Sequence, residues 1–530
     1  MHNKIFIVFV ALLSLFSSCS PKEGVSPRID WDEWGVPHIT ARTAEELFYA
    51  QGWAQMHNHA SLILRLYGQS RGRAAEYWGE ELLQNDILVH TLGFEELATV
   101  WEEEQHPETK ELFRSFVAGM NAYAEAHPDA ISHENAPVLP ITTQDVNMHS
   151  MFVVFTRFIA GGELRTLQQW SSLGSNAYAI APSRSASGNA LLLQNPHLPW
   201  SNEFTFFESH LMLPGKNLYG STLVGLPGIS IGFNENLGWT HTNNTIDNAD
   251  TYELELKDGG YLLDGQRLDF ETSDKTLRVK QADGTLDEQE ITATRTLHGP
   301  VVAQQENKVL ALRMVGLDRP DMLLQWWRMA GSDNLVEFES ALKMAPYMAP
   351  VTASFRPQRA LRMIAEDSLI TFRELVDYHH STRLEYADRV LDDLFDAIDA
   401  FGSEKAKEAK KVLEQWDRKA DVDSRGTVLF YLWSAKFNVN DPSNYVTPWS
   451  LEEPYSTPRG IAHPKEAVWL LEEAAGEMES RFGSLDLPWG EFYRLRRNNV
   501  DLPASGGPER LGIFRVAGAS ARGQVDVVSP

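Results

Sequence analysis

The hydrophobic pattern of this chain changes period at one place, and that change limits the folds open to it. Up to Gly161-Gly162 apolar residues recur at helical spacing. From Gly174-Ser175 onward they alternate in short runs between turn clusters. A chain with a helix-rich part followed by a strand-rich part points to the α+β class.

The spacing predicts a strand with a Gly/Pro turn over 28–39. A helix over 43–57 opens on the capping box Thr43-Ala44-Glu45-Glu46, with Leu47, Ala50, Gln51 and Ala54 on one stripe. Helical patterns also cover 95–126 and 143–159. Residues 20–160 thus form a mostly helical first segment, and 161–174 read as a polar, exposed spacer. From Ser175 to Pro530 runs a second segment, with strands predicted at 190–194, 223–233, 252–256, 277–281 and 309–314. Helical spacing returns over about 320–480, including a stripe over 370–401 and a mixed-charge helix over 404–416.

Asp and Glu number 73 against 47 Lys and Arg, a formal charge of −26 that repels phosphate backbones and anionic lipid surfaces, so nucleic acid is not an expected partner. Residues 1–19 carry a charged start, the apolar run Ile5 to Phe16 and small residues, the pattern of an export leader too short to span a membrane. Cys19 is the sole cysteine, which excludes an intramolecular disulfide and a cysteine-based metal cluster. Its place after Leu15-Phe16-Ser17-Ser18 resembles a lipobox, giving a lipid-tethered periplasmic protein. The other reading is a cysteine beside an ordinary cleavage site.

Ser175–Ala181 and Asn189–Asn195 read as two strands joined by the turn-rich link 182–188. Antiparallel pairing sets Ser175 opposite roughly Gln194 and, at ~3.4 Å per residue, His197 within about 10 Å of Ser175. Cleavage of Gly174–Ser175 would place an α-amino group beside the Ser175 hydroxyl, so that one residue holds a nucleophile and a base. Ser175 opens a strand where the serine of a Gly-x-Ser-x-Gly elbow would close one, and no His-Glu-x-x-His zinc spacing occurs.

Gly-Ser-Asn-Ala-Tyr at 174–178 with Gln-Asn-Pro-His-Leu-Pro-Trp at 194–200 resembles the start of the β-chain in the penicillin acylase family of N-terminal-nucleophile hydrolases, which includes cephalosporin and acyl-homoserine-lactone acylases. Residues 49–52, 72–76, 225–228, 238–242 and 297–300 resemble further stretches of that family. The resemblance implies a four-layer αββα sandwich with helical elaborations, lacking some of its usual parts. It also implies a precursor that cuts itself at Gly174–Ser175, and two chains that stay associated.

In that resemblance Ser175 is the nucleophile, its own α-amine the base, His197 the residue that orients them, and the backbone N–H of Asn243 one oxyanion donor. The family's second donor, an asparagine, belongs to a stretch absent here, where 338–344 runs almost directly into 349–356. Strands that relatives carry after Val516 are also absent. Leu198, Phe207 and Ser230 fall at acyl-pocket positions, and Ser230 replaces an arginine of glutaryl-cephalosporin acylases, which implies an aliphatic or aromatic acyl group. Asp247 and Asp250, with Glu163 as a third ligand, resemble a calcium loop whose alternative is a polar turn. No organic cofactor is implied.

The expected function is hydrolysis of linear acyl amides, of the β-lactam side-chain or N-acyl-homoserine-lactone type. Two alternatives stand beside it: an impaired family member without the oxyanion asparagine, and a periplasmic ligand-binding lipoprotein.

Overall fold

The computed structural model describes residues 27–166, 174–242, 248–342, 354–450, 453, 455–497, 500–519 and 524–528. The expectations placed on Cys19, Asn243 and Asp247, on residues 167–173 of the spacer, and on the junction at 343–353 lie outside the described residues. The architecture is mixed α+β.

The first predicted strand is a hairpin, β1 (Arg28–Trp31) and β2 (Pro37–Thr40), closed by a turn in which Gly35 takes φ 79°. Helix α1 (Ala44–Ser70) leaves helical backbone angles at His59, two residues past the predicted end, and continues beyond that kink to Ser70. Its capping box is half made. Thr43 Oγ1 accepts from the Glu46 N–H, but the Glu46 carboxylate turns back to the Arg42 amide and guanidinium. The pattern over 95–126 breaks into helices Phe94–Glu104 and Pro107–Ala126, with Pro107 starting the second. Helix Thr143–Val153 widens into a π-helical turn over Val154–Ile159.

The predicted spacer is not wholly exposed. Leu164, in a 3-10 turn, is buried among Phe152, Phe155, Ala249 and Leu312, since an apolar side chain beside that core gains more by packing than by hydration.

Strands β3 (Gly174–Ile180) and β4 (Leu191–His197) pair antiparallel and, among the described residues, form a two-stranded sheet of their own. Next come β5 (Phe206–Leu213), β6 (Lys216–Leu223), β7 (Ile231–Phe233) and β8 (Gly238–Trp239). With β1 and β2 they make a six-stranded sheet in the order β1-β2-β5-β6-β7-β8, where only β2 and β5 run parallel. One face, with Ile39, Leu211 and Leu218 buried, packs on α1 and helix Pro107–Ala126. The other face carries His38, His210 and Tyr219, each half-buried.

The strand predicted over 223–233 is interrupted. Gly225 and Gly228 take φ of 88° and 82°, and the loop around them is held by two buried glutamines of α1. Gln55 donates to Leu226 O and accepts from Gly225 N; Gln51 donates to Gly228 O and accepts from Gly228 N. A polar residue on the apolar stripe of α1 is thus explained: it satisfies backbone groups that a sheet would otherwise pair.

Strands from β9 (Ala249–Lys257) to β15 (Lys308–Met314) form a second, seven-stranded antiparallel sheet. From Met322 onward the elements are mostly helices, and Glu385–Phe401, Thr427–Phe437 and Pro464–Phe482 enclose a separate core around Leu394, Trp433 and Ala475. No helix among the described residues is long and apolar enough to cross a membrane.

Candidate active site

The register of β3 and β4 decides what lies beside Ser175. Gly174 pairs with His197 and Ser175 with Pro196, two residues beyond the expected Gln194, because the second strand begins at Leu191 rather than Asn189. The shift keeps side-chain parity and draws His197 closer.

The hairpin lies between two bodies. Tyr178 and Ile180 pack with Met363, Ile370, Leu375 and Phe514, and the Tyr178 and Phe514 rings stack at 5.0 Å. On the other side Gln194 Nε2 donates to Gly232 O and Trp239 O of the six-stranded sheet. Gly174 and Ser175 are thereby clamped at the seam.

His197 is 1% exposed, and its two ring nitrogens are both engaged. Arg356 Nη1 stands 3.0 Å from Nδ1, and a guanidinium can only donate, so Nδ1 accepts. Nε2 lies 2.7 Å from Asn195 Oδ1 and donates to it. Asn176 Nδ2 supplies its two hydrogens to Asn195 Oδ1 and Phe514 O, which leaves its 3.1 Å approach to His197 Nε2 as contact alone. Arg356 is itself fixed by Glu509 at 2.8 Å. Ser175 Oγ donates to the Gly174 carbonyl rather than to His197.

Burial first, and then the charge on Arg356 and a smaller effect of His379, lower the His197 pKa to about 3. His149, fully buried beside Val224 O and Ser70, is lowered by burial to about 4. Both rings stay neutral in the folded chain at pH values where an unfolded histidine, with pKa ~6.5, takes up a proton. Between about pH 6.5 and 4 the unfolded state binds the extra protons, so stability falls on acidification by up to about 1.4 kcal/mol per pH unit for each ring. Urea unfolding at pH 7.5, 6.5 and 5.5 is expected to show this loss below pH 6.5. His149→Gln is expected to remove part of it, since burial lowers His59 and His241 as well; an unchanged slope in that variant would contradict the assignment.

Ser175 opens onto a cavity of about 320 Å³ with a mostly apolar lining. Val154, Phe155 and Phe158 of the π-helical turn form one wall, Leu226 and Ser230 of the glutamine-held loop another, and Trp326 a third. Arg157 of the same turn points away, into a buried ion pair with Glu203 at 2.6 Å. Leu198 and Ser230 both line the cavity. Phe207 does not: adjacent strand residues face opposite ways, so Phe206 lines the cavity while Phe207 is buried in the helix-packed core. His241 and Thr242, which lead to Asn243, also line it.

Of the calcium donors, Asp250 lies exposed on β9 and Glu163 in the 3-10 turn that packs against β9. No group of three or more His, Cys, Asp or Glu suited to a metal occurs among the described residues. Asp250 and Glu163 are the two of the three expected donors that lie among the described residues, where calcium takes six to eight oxygens.

Sequence reasoning missed Asn176, Asn195, Arg356 and Glu509 as parts of this site. Asn176 and Asn195 lay inside the motifs and could have been found from their hydrogen-bonding capacity.

The family profile described as "Penicillin amidase" matches residues 27–352 and 342–530. The chain belongs to the penicillin amidase family of N-terminal-nucleophile hydrolases. It is similar to acyl-homoserine lactone acylase PvdQ of Pseudomonas savastanoi pv. phaseolicola, 31% identical over 58% of this chain and 46% of that protein. PvdQ of Pseudomonas fluorescens Pf-5 is 25% identical over 94% of this chain and 85% of that protein. Penicillin acylase 2 proenzyme of Pseudomonas sp. SE83 is 25% identical over 60% of this chain and 49% of that protein. This chain spans about half the length of the first of these relatives. Among solved structures, a thermostable penicillin G acylase from Alcaligenes faecalis matches 60% of this chain and 81% of that one at 15% identity and TM-score 0.47.

Proposed function

We propose that this chain is a precursor of an acyl-amide hydrolase, in which Ser175 becomes an N-terminal nucleophile by cleavage of the Gly174–Ser175 bond. The observation that carries the reading is the position of Ser175: it borders an apolar cavity of about 320 Å³, within the size range of small-molecule sites, on a hairpin clamped from both sides. An acylase named as a proenzyme among the relatives is in keeping with a precursor.

In the mechanism Ser175 Oγ attacks the amide carbonyl as the α-amine takes the hydroxyl proton, directly or through a water, and returns it to the departing nitrogen. Water then hydrolyses the ester. An α-amine near pKa ~8 is about one-tenth unprotonated at pH 7 and about half at pH 8, far more than a lysine amine. Neutral His197 fixes Asn195, and through it Asn176, beside the nucleophile. The developing oxyanion would take the backbone N–H of Asn243, a donor worth about 3–4 kcal/mol in such sites. The scaffold in this reading is the family's αββα sandwich, with calcium at Glu163, Asp247 and Asp250 as a structural ion. The protein is exported to the periplasm and carries a lipid on Cys19.

The cavity walls favour an acyl group without charge. Around Ser230, Leu198, Leu226, Phe158 and Trp326 offer only apolar surface or a single indole N–H and Ser230 supplies no cation for a carboxylate tail, while Arg319, also on the lining, is paired with Asp318 at 3.5 Å. Purified protein is expected to release amine from aliphatic or phenylacetyl amides, including N-acyl-homoserine lactones, at least tenfold faster than from glutaryl amides. Equal rates on both classes would sink the specificity.

A second reading, a family member without turnover, has in its favour that His197 engages Arg356 and Asn195 rather than Ser175. Amine release from every member of the panel at the rate of the Ser175→Ala variant would select it.

A further inference from the structure

The loop 224–228 follows no strand, so its backbone groups need partners that a sheet does not supply. Val224 N donates to Thr205 O and Leu226 N to Leu223 O, while Pro227 has no N–H to place. The carbonyls of Val224, Gly225, Leu226 and Gly228 each accept from a side chain of another element. His149 Nε2 reaches Val224 O at 3.1 Å and Tyr67 Oη reaches Gly225 O at 2.7 Å. Gln55 Nε2 reaches Leu226 O at 2.9 Å and Gln51 Nε2 reaches Gly228 O at 2.8 Å. The same two glutamines accept the N–H groups of Gly225 and Gly228, each at 2.8 Å.

All four side chains are fully buried. They lie on α1 and helix Thr143–Val153, before residue 174, whereas the loop they hold lies after it. Burial makes each bond matter more, because a backbone group that loses its partner there has no water to turn to. The loop is also seated directly on two of the rings: a Cβ on Gly225 would lie 3.0 Å from His149 Cδ2 and 3.1 Å from Tyr67 Cε1. Bonded at successive carbonyls and resting on aromatic rings, it has little freedom to shift.

What the loop carries is Leu226. That side chain is buried with Val153, Leu198, Phe204 and Leu223 and forms part of the wall of the cavity that Ser175 borders. Its place is inherited from the side chains beneath it. Ser230, further along the same wall, is tied within its own segment instead, donating to Ser221 O and accepting from Trp239 Nε1. The cavity loop that holds Gly316 and Arg319 repeats the cross-segment arrangement, with Trp101 Nε1 donating to Leu317 O at 2.8 Å and Gln105 Nε2 to Pro320 O at 3.0 Å.

On the reading of this cavity as the acyl site, we infer that Gln51, Gln55, Tyr67 and His149 are positioning residues for acyl selection. None of the four lines the cavity, and together they fix the depth at which Leu226 meets the acyl group. The effect is selective by size. An acyl group long enough to reach Leu226 depends on the clamp, an acetyl group that ends one methyl beyond its carbonyl does not, and the chemistry at Ser175 is common to both.

Kinetics of the full-length protein on the phenylacetyl and acetyl amides of 4-nitroaniline test this. The ratio of their kcat/KM values is expected to fall about tenfold in Gln55→Met and about threefold in Tyr67→Phe, through a higher KM for the phenylacetyl amide. The acetyl amide should stay within about twofold of wild type in both. Tyr67→Phe removes one hydroxyl and keeps the ring, which covers the case in which Gln55→Met fails to fold. Asn121→Leu is the control for stability alone: Asn121 makes the same two-way clip, to Ile141 N and O at 2.9 and 2.8 Å, on residues that do not line the cavity. It should lower Tm and leave the ratio unchanged. Wild-type ratios in Gln55→Met and Tyr67→Phe would overturn the inference, and so would an equal fall in Asn121→Leu. A wild type that hydrolyses neither amide ends the hydrolase reading, and calorimetry of phenylacetyl-4-nitroanilide binding to Ser175→Ala protein then decides the positioning role. Affinity weakened about tenfold by adding Gln55→Met, or about threefold by Tyr67→Phe, upholds it. Unchanged affinity, or no binding, overturns it.

Discussion

Ser175→Ala protein is expected to remain a single chain under conditions in which the wild type separates into two at Gly174–Ser175 on a denaturing gel. The alanine lacks the only hydroxyl adjacent to that bond, and cleavage requires the Ser175 oxygen to attack the Gly174 carbonyl carbon, the peptide nitrogen to leave as the new α-amine, and water to hydrolyse the ester that then joins Gly174 to Ser175 Oγ. In the folded chain Ser175 Oγ already donates to the Gly174 carbonyl oxygen, so the attacking atom is hydrogen-bonded to the carbonyl group whose carbon it must reach. Amide hydrolysis should fall with it, by a factor on the order of 10⁶, the scale seen when an enzyme loses its nucleophile. Ser175→Cys should still cut, because a thiol can take the same path and leaves the same α-amine. Gly174 is constrained as well: a Cβ there would lie 2.9 Å from Glu509 Oε2 and 3.2 Å from Arg356 Nη1. Mass spectrometry of the two pieces checks the position of the cut. A wild type that stays whole, or an alanine variant that divides as the wild type does, would remove Ser175 from the proposal.

The sequence revealed the local part of this site and concealed the distant part, for a physical reason. Strand alternation and the turn-rich link were enough to bring His197 beside Ser175, since both reside in one hairpin. The register was misread by two residues because nothing in the Asn189-Ala190 dipeptide marks it as turn rather than strand. Phe206 and Phe207 are separable by parity: Glu208 and His210 share a face with Phe206 and Leu211 shares one with Phe207, so alternation puts Phe207 on the sheet's helix-packed side, against the position that the family resemblance implies. Arg356 reaches His197 from 159 positions downstream, Glu509 holds Arg356, and the Phe514 carbonyl accepts from Asn176 across 338 positions. Such contacts depend on how the helical body docks against the hairpin, and hydrophobic periodicity carries no information about docking. The glutamines of α1 are an intermediate case. A buried Gln51 and Gln55, one helical turn apart on an apolar stripe, signal that backbone groups elsewhere need partners, without naming the loop they serve.

Gly119→Val is expected to destabilise the chain by more than about 4 kcal/mol, most of the stability a typical domain has. Helix Pro107–Ala126 crosses α1 so closely that a Cβ on Gly119 would lie 1.8 Å from Tyr49 O, and one on Gly52 2.0 Å from Phe116 O. In both cases the obstacle is backbone, which cannot rotate aside as a side chain does. On an exposed helix the sign is reversed, because replacing Gly by Ala gains about 1 kcal/mol through propensity. Gly476, in helix Pro464–Phe482, supplies that control: its Cβ would meet only the flexible Lys405 Nζ at 3.3 Å, and Gly476→Ala should leave stability unchanged or improve it. The same crossing positions Gln51 and Gln55 under the Gly225–Gly228 loop, so moving α1 outward opens the cavity wall at Leu226 and Ser230. A Gly119→Val chain that folds at all should therefore lose cavity function before it loses helix content. Chemical denaturation with amine release measured on the same samples separates the two effects, and a Gly119→Val protein as stable as Gly476→Ala would show that the two helices can part without cost.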